Sequence, residues 1–379
     1  MKKDTLEQYI AKNTDKYFTH TKNIVEQNGD KTVVYAFFIR KPTVYACKIA
    51  IDFLKQVALD LNFQVNIYEN FQEGDKVGAG APLFYVQGSF TYLSELETLL
   101  LQKIGLPCLS AWHSYMMSKY LPNVAFISMV ARHCTGEEML RLCEYGVSTG
   151  SKSAQKEGTK GFIGGSTDLC ADLFNTSGGL GTMPHSLIGY AGSTLDAAKM
   201  YVDSVNAKAM TVLVDYFGKE ITDAIEVCSH FHEMAESGNL SVRLDTHGGR
   251  YAEFLDYDSS YQIIEKNVKN AFHNYKDQEQ IQFLTGMGVS AASIFHMREQ
   301  LNKHNFHKVK IVASSGFNLK KCALMADVKA PIDVIGTGSV IPPVWSDTYA
   351  TADIISYNNT LSVKQGREFL IQAWNKHEQ

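Results

Sequence analysis

The sequence lacks the marks of three common classes of protein. Its seven cysteines are scattered, odd in number and form no C-x-x-C pair, which disfavours a disulfide framework and a structural zinc knuckle. No apolar run reaches the roughly 18 residues of a bilayer-spanning helix, and no basic stretch is dense enough for a nucleic-acid surface. The N-terminus has no apolar signal core. We therefore expect a soluble, cytoplasmic protein with no nucleic-acid partner and no membrane partner.

What is present is an ordinary globular composition. The chain has 379 residues, of which 45% are hydrophobic and 20% are charged, and its formal net charge is −4. No internal repeat or low-complexity tract is visible. This length is comfortable for two domains, and the pattern of the sequence changes near residue 110.

The first part, residues 1–110, reads as an α+β sandwich. Helical patterns at about residues 43–60 and 91–105 interrupt runs typical of short strands. The strand-like runs are Thr32–Ile39, Val65–Tyr68 and Pro82–Gln87. The turn cluster Glu73–Gly80 resembles the turns of biotinyl-carrier modules but lacks their Met-Lys-Met acceptor, so we interpret it as a structural hairpin.

The second part, residues 111–343, alternates apolar strands with amphipathic helices such as Thr194–Ala209 and Ser290–His304. This pattern indicates a parallel sheet covered by helices. The predicted strands are Val124–Met129, Gly161–Ile163, Gly179–Met183, Thr211–Val214, Ser241–Leu244, Val309–Val312 and Ile332–Ile335. We predict an α/β fold with an irregular seven-stranded barrel. Residues 344–379 are expected to return to the sandwich through a strand at Asp353–Tyr357.

Polar residues follow these strands, where a barrel gathers its active site. In Gly181–Ser186 (GTMPHS), a proline fixes the backbone between Thr182 and His185. Other strand-end side chains could clamp an anion, bind a metal such as Mg²⁺, or only pair with neighbours and cap helices. These are Arg132, Arg243, Arg250, Asp215 and Asp245.

The last two strand ends predict a phosphate cradle. Ser315 and Gly316 follow the sixth strand, and Gly336, Thr337, Gly338 and Ser339 end the seventh. Together they offer backbone N–H groups, hydroxyls and close backbone approach. The simpler alternative is a pair of tight turns with helix caps.

Taken in order, these motifs resemble the nicotinate phosphoribosyltransferase family over most of the chain, and GTMPH resembles its compact, archaeal-like branch. The other motifs that carry the resemblance are Thr14–Phe18, Glu73–Asp75, Gly161–Gly165, Val242–Thr246, Ser315–Gly316, Pro331–Ser339 and Val363–Arg367.

The resemblance implies a homodimer with shared active sites that makes nicotinate mononucleotide and pyrophosphate from nicotinate and phosphoribosyl pyrophosphate. It implies Mg²⁺ as cofactor and coupling to ATP hydrolysis through a phosphohistidine. Tyr17, Thr182 and Arg243 would bind nicotinate, with Tyr17 stacked on the ring. His185 would be phosphorylated, and Asp245 would be catalytic and a possible magnesium ligand. Arg132 and the cradle residues Ser315, Gly316, Gly336, Thr337, Gly338 and Ser339 would contact phosphoribosyl pyrophosphate.

The chain departs from the family at several points. Many relatives carry Asp-Ser-Gly-Asp where this chain has Asp245-Thr246-His247-Gly248, so a second acid is missing. His20 stands where Thr or Arg is usual, three residues after the tyrosine. The C-terminal cysteine-rich zinc element of some compact relatives is absent.

The sequence leaves other functions open. Quinolinate phosphoribosyltransferase shares the fold but would need further cations for a second carboxylate. A nicotinamide-using enzyme is typically much longer. A barrel lyase or aldolase would need a Schiff-base lysine or a cluster of metal ligands at a strand end. A non-catalytic nucleotide sensor on the same scaffold is the alternative that is not an enzyme.

Overall fold

The computed structural model describes residues 3–275, 277–341 and 345–375. The strands are β1 (Thr32–Ile39), β2 (Thr43–Val44), β3 (Val65–Glu69), β4 (Lys76–Val77), β5 (Pro82–Ser89), β6 (Ala125–Ser128), β7 (Gly161–Gly165), β8 (Met210–Leu213), β9 (Leu240–Leu244), β10 (Lys310–Ala313), β11 (Val334–Thr337), β12 (Ala350–Tyr357) and β13 (Thr360–Leu361). The α-helices are α1 (Lys3–Asn13), α2 (Lys16–Asn28), α3 (Lys48–Leu61), α4 (Phe90–Tyr120), α5 (Glu137–Gln155), α6 (His185–Ala191), α7 (Thr194–Val205), α8 (Glu220–His230), α9 (His232–Ser237), α10 (Tyr257–Asn267), α11 (Ala271–Asn274), α12 (Gln278–Thr285), α13 (Ala291–Lys303), α14 (Leu319–Asp327) and α15 (Phe369–Trp374).

These elements form two compact units. The first consists of Met1–Tyr115, Thr135–Ser153 and Ile341–Gln379, and the second of Met116–Cys134 and Ala154–Val340. The domain bounds predicted above, 1–110, 111–343 and 344–379, stay a prediction. The two divisions differ mainly at residues 111–115 and 135–153, which group with the first unit.

An antiparallel sheet is the centre of the first unit. Its strand order is β13-β12-β1-β5-β3, and every residue of β1 after Thr32 is buried. Phe37 of β1 stacks on Phe84 of β5 with 4.8 Å between ring centroids. The C-terminal strand β12 pairs with β1 from Val33–Tyr357 to Ile39–Ala350. Strand β12 thus belongs to the same sheet as β1, β5 and β3.

A six-stranded parallel sheet is the centre of the second unit, with the order β7-β6-β11-β10-β9-β8. Its strands are short and apolar, as in sheets covered on both faces by helices. In β10, for example, Ile311, Val312 and Ala313 are all buried. All of its strands are parallel, so their carboxyl ends meet at one edge and bring the residues that follow them together.

The seven-stranded barrel is not confirmed. Residues 179–183, predicted as the third strand, pair with no strand in the described structure. The backbone of this segment contacts the sheet through a hydrogen bond from the Leu180 N–H to the Gly165 carbonyl oxygen at 2.8 Å. The cause is local composition, because the glycines of this segment disfavour a strand and Pro184 ends it. The segment therefore lies beside β7 as an irregular loop.

All seven cysteines are free thiols in the structure. No described helix is long and apolar enough to cross a membrane.

Candidate active site

An arginine at the end of β9 is the centre of the candidate site. The Arg243 guanidinium donates from Nη1 to Thr182 Oγ1 at 2.8 Å, from Nη2 to Asp245 Oδ2 at 2.9 Å, and from Nε to Ser314 Oγ at 3.0 Å. The side chain is 12% exposed. A guanidinium has five N–H groups, so one N–H on each terminal nitrogen is left for a ligand. The fork is therefore fixed in direction before any ligand arrives.

The irregular loop 179–184 positions Thr182 against Arg243. The Gly179 N–H donates to Asp168 Oδ1 at 2.7 Å, and Met183 buries its side chain beside Thr182. Because the Thr182 hydroxyl accepts a hydrogen bond from Arg243, its own hydrogen can be donated to a ligand. The loop thus places a second donor next to the guanidinium.

Asp245 follows β9 and is held on both carboxylate oxygens. Oδ2 accepts from Arg243, and Oδ1 accepts from Ser314 Oγ at 2.8 Å. Each oxygen keeps one lone pair, so Asp245 could supply a single ligand to a magnesium ion. Within the described ranges, no group of three or more His, Cys, Asp or Glu side chains could hold a metal. A magnesium ion at this position would take one oxygen from Asp245 and would need its other ligands from water or a bound molecule.

A histidine–aspartate pair lies at the next strand end. His185 begins α6 and is 46% exposed, and its Nε2 lies 3.1 Å from Oδ2 of Asp215, which follows β8 and is 6% exposed. Burial raises the pKa of Asp215, and the hydrogen bond and charge of His185 oppose that rise. In the tautomer that donates from Nε2, the lone pair of Nδ1 is free.

Arg250 binds the backbone of Asp215 and the carboxylate of Glu220. Its Nη2 donates to the Asp215 backbone carbonyl at 2.8 Å and lies 2.6 Å from Oε1 of Glu220, whose side chain is fully buried. Glu220 also accepts from Thr246 Oγ1 at 2.8 Å. Because a buried carboxylate needs its cation, we assign Arg250 to the framework and not to an anion clamp.

The turn after β10 has an unusual backbone. Ser315 and Gly316 both adopt left-handed conformations, with φ of 74° and 70°. A Cβ added to Gly316 would meet no atom within 4 Å, so the space above the turn is open. This geometry is compatible with the phosphate contact predicted for both residues.

The turn after β11 is packed more tightly. A Cβ on Gly336 would lie 2.4 Å from Met129 Cε, and one on Gly338 would lie 2.7 Å from His133 Nε2. The Ser339 N–H donates to the Thr337 hydroxyl at 2.9 Å. The two glycines thus admit neighbouring side chains, whereas Ser339 is half-buried and Arg132 is exposed.

Tyr17 lies in the first unit, at the start of α2. It is 61% exposed, and its hydroxyl donates to Asp15 Oδ2 at 3.2 Å. His20 follows it on the same helix. The Tyr17 ring is thus not packed into the core of the first unit.

Two residues beside these groups, Ser314 and Lys321, are not among the predicted site residues. Ser314 bridges Arg243 and Asp245. Its position directly after β10 is the feature that could have identified it as a site residue. Lys321 is buried on α14, where its Nζ donates to the Ser315 carbonyl oxygen at 2.9 Å. The sequence pattern that indicates its burial is helical spacing. Lys321 shares a helix face with the apolar residues Leu324 and Met325, which follow it by three and four positions.

Comparison with known proteins finds similar solved structures, but no matching family model and no matching curated protein. Among solved structures, it is similar to nicotinate-nucleotide pyrophosphorylase from Pyrococcus furiosus, with a TM-score of 0.68 and 22% identity over 94% of this chain and 78% of that one.

Two further structures are similar over most of their length. Human nicotinic acid phosphoribosyltransferase has a TM-score of 0.57 and 15% identity, over 92% of this chain and 75% of that one. Nicotinate-nucleotide pyrophosphorylase from Francisella tularensis has a TM-score of 0.53 and 14% identity, over 93% and 95%. At these identities the likeness establishes the fold. The chain has the α/β fold shared by these two kinds of enzyme.

Proposed function

We propose that this protein transfers a phosphoribosyl group from phosphoribosyl pyrophosphate to nicotinate, giving nicotinate mononucleotide and pyrophosphate, with coupling to ATP hydrolysis through a phosphohistidine. The observation that carries the proposal is the Arg243 fork, because Thr182, Asp245 and Ser314 orient it at the carboxyl end of the parallel sheet. The fold shared with a nicotinic acid phosphoribosyltransferase supports it.

Recognition of the acid follows from the donors that remain. The guanidinium and the Thr182 hydroxyl can together bind a carboxylate, and charge-assisted bonds of this kind contribute about 1.5–3 kcal/mol each. Nicotinamide has no charge to match the guanidinium. Quinolinate has a second carboxylate that needs a further cation, and Arg250 is already paired with Glu220. Nicotinate is therefore the preferred base.

The transfer step needs positioning more than proton transfer. The pyridine nitrogen attacks the anomeric carbon with its lone pair, and the bond to pyrophosphate breaks with its electrons on the leaving group. The carbon develops oxocarbenium character between these events. Asp245 lies at the same strand end and can orient the ribose or hold a magnesium ion. Magnesium bound with the substrate would neutralise charge on the departing pyrophosphate. Ser315, Gly316 and Ser339 would hold phosphate oxygens.

His185 would take the γ-phosphate of ATP on Nδ1, with ADP as the leaving group. In this proposal the Asp215 carboxylate, 3.1 Å from Nε2, accepts the Nε2–H, so it selects the tautomer in which Nδ1 is nucleophilic and stabilises the charge that forms on the ring. After hydrolysis of the phosphohistidine, His185 returns to its starting state.

Pyrophosphate release tests the proposal. We expect release from phosphoribosyl pyrophosphate with nicotinate, and far less with nicotinamide or quinolinate. ATP labelled in the γ-phosphate should label the wild-type chain and the control His304→Ala, which alters an exposed histidine directly after α13. Retained labelling of His185→Ala would overturn the phosphohistidine, and the absence of release with every base would overturn the transfer reaction.

The proposal includes a homodimer in which Tyr17 of each copy stacks on the pyridine ring in the other copy's site. The exposed Tyr17 ring supports this. Tyr17→Ala and His185→Ala should each be inactive, and mixing them after subunit exchange should restore activity, because a mixed dimer has one intact site. A monomer by light scattering, or no recovery on mixing, would contradict shared sites.

A further inference from the structure

A lysine is buried beneath the Ser315–Gly316 turn. Lys321 lies in the first turn of α14 and is 5% exposed. Its Nζ donates to the Ser315 carbonyl oxygen at 2.9 Å. Its remaining surroundings are largely aromatic, with Nζ 4.4 Å from the centroid of the Phe317 ring and 5.8 Å from that of Phe283. Among the described residues, the Lys321 ammonium thus has a single hydrogen-bond acceptor, the Ser315 carbonyl oxygen.

The turn above this lysine is held in a conformation that it would not adopt readily alone. A left-handed φ is uncommon for a serine, and here Ser315 and Gly316 have φ of 74° and 70° in succession. Lys321 fixes the Ser315 carbonyl from below, and the Asn318 side chain caps α14 by accepting from the Lys321 N–H at 2.9 Å. The side of the turn that faces away from Lys321 is open above Gly316.

The charges that face Lys321 do not neutralise it fully. Asp245 acts on it from the end of β9, but both Asp245 oxygens are already bonded to Arg243 and Ser314. Cys322 is the other titratable neighbour, and burial raises its pKa to about 12, so it stays neutral at pH 7. Burial lowers the pKa of Lys321 to about 8. The cation therefore destabilises the folded chain, and such costs are concentrated at functional sites.

We propose that Lys321 is a positioning residue for a phosphate group of phosphoribosyl pyrophosphate. Its buried ammonium holds the Ser315–Gly316 turn in the conformation that binds the anion and supplies positive charge from beneath. It acts through the turn and does not touch the phosphate. The inference rests on the proposed function, and it assigns to this chain a cation that no strand-end motif revealed.

The test uses three variants of the full chain: Lys321→Met, which keeps the length and removes the charge, Lys321→Arg, which keeps the charge at all pH values, and Lys320→Met. Lys320 is the matched control, because it is adjacent in sequence, exposed, and paired with Glu279 at 2.6 Å. Calorimetry measures the affinity for inorganic pyrophosphate, and steady-state kinetics give KM for phosphoribosyl pyrophosphate and kcat from pH 6.5 to 9.5, with thermal unfolding in parallel.

We expect Lys321→Met to weaken pyrophosphate binding and raise KM by about 10-fold or more, a usual size for indirect coupling, with a smaller change in kcat. Its Tm should equal or exceed that of the wild type. The wild-type KM should rise as the pH passes about 8. This rise should be absent in Lys321→Met and in Lys321→Arg, and Lys320→Met should behave as the wild type.

Wild-type pyrophosphate affinity in Lys321→Met would overturn the inference. A second result would also overturn it: Lys321→Met lowers the Tm, and Lys321→Arg restores the Tm but not the affinity for pyrophosphate. That result would show that Lys321 has only a structural role. Pyrophosphate binding does not require the transfer reaction. If Lys321→Met weakens pyrophosphate binding but the wild type transfers to no base, the inference is retained and the proposed function is rejected. If the wild type transfers to nicotinate but Lys321→Met binds pyrophosphate as the wild type does, the proposed function is retained and the inference is rejected.

Discussion

Arg243→Lys tests the recognition of the acid. The substitution keeps a positive charge near Asp245 but replaces a planar fork with one ammonium, which cannot reach Thr182, Asp245 and Ser314 in their present directions. We expect the loss of about 2–3 kcal/mol of carboxylate binding. At about 1.4 kcal/mol per factor of ten, kcat/KM for nicotinate should fall about 30- to 150-fold.

The fold should tolerate the same change. Lysine can still pair with Asp245, and the Ser314 hydroxyl still donates to it, so the free energy of unfolding should fall by only about 1–2 kcal/mol. In a unit of this size that is a loss of several degrees in Tm. The control Arg298→Lys alters an arginine–aspartate pair of the same unit, with Nη2 3.3 Å from Asp333 Oδ2 and 2.8 Å from the Val309 carbonyl oxygen.

The control lies at the opposite ends of the strands, because Val309 precedes β10 and Asp333 precedes β11. Initial rates with varied nicotinate and saturating phosphoribosyl pyrophosphate give kcat/KM for both variants, and calorimetry gives their Tm values. Arg298→Lys should lose stability and keep its kcat/KM. The reasoning is refuted if both variants lose kcat/KM equally, or if Arg243→Lys keeps the wild-type value.

Three further outcomes are expected. Thr182→Val, which keeps the shape and removes the hydroxyl, should raise KM for nicotinate about 10- to 100-fold without a change in fold by circular dichroism. Asp215→Asn should slow phosphohistidine formation from labelled ATP on the order of 10²–10⁴-fold, because the amide no longer selects the tautomer. The raised pKa of the Asp215 carboxyl means that its contribution to stability falls as pH rises between its unfolded and folded pKa values. Asp215→Asn should therefore lose this pH dependence in denaturant unfolding and be no less stable than the wild type at pH 7.

Most of the fold could be predicted because it depends on local patterns. The run Thr32–Ile39 has the same bounds as β1, and each observed strand of the parallel sheet overlaps a predicted one. The exception is residues 179–183, where apolar character suggested a strand and glycine content prevented it. The predicted barrel depended on that segment, so one local error changed the predicted closure of the sheet.

The candidate site could be predicted in part for a similar reason. Residues at the ends of predicted strands, such as Thr182, Arg243 and Asp245, could be identified because the carboxyl ends of parallel strands lie at one edge of a sheet. The pairing of Arg250 with Glu220 could not be found, since it joins the loop after β9 to the start of α8. Lys321 was missed because burial of a charge depends on tertiary packing, which a single sequence does not reveal.

The most direct test of the central claim is a competition. The purified chain is given phosphoribosyl pyrophosphate, Mg²⁺ and ATP with equal concentrations of nicotinate, nicotinamide and quinolinate, each labelled with a different mass, and the mononucleotide products are identified by mass spectrometry. We predict nicotinate mononucleotide carrying the label of nicotinate as the dominant product, and its loss in Arg243→Lys. A dominant mononucleotide carrying the label of quinolinate or nicotinamide would contradict the account. So would the absence of any mononucleotide product.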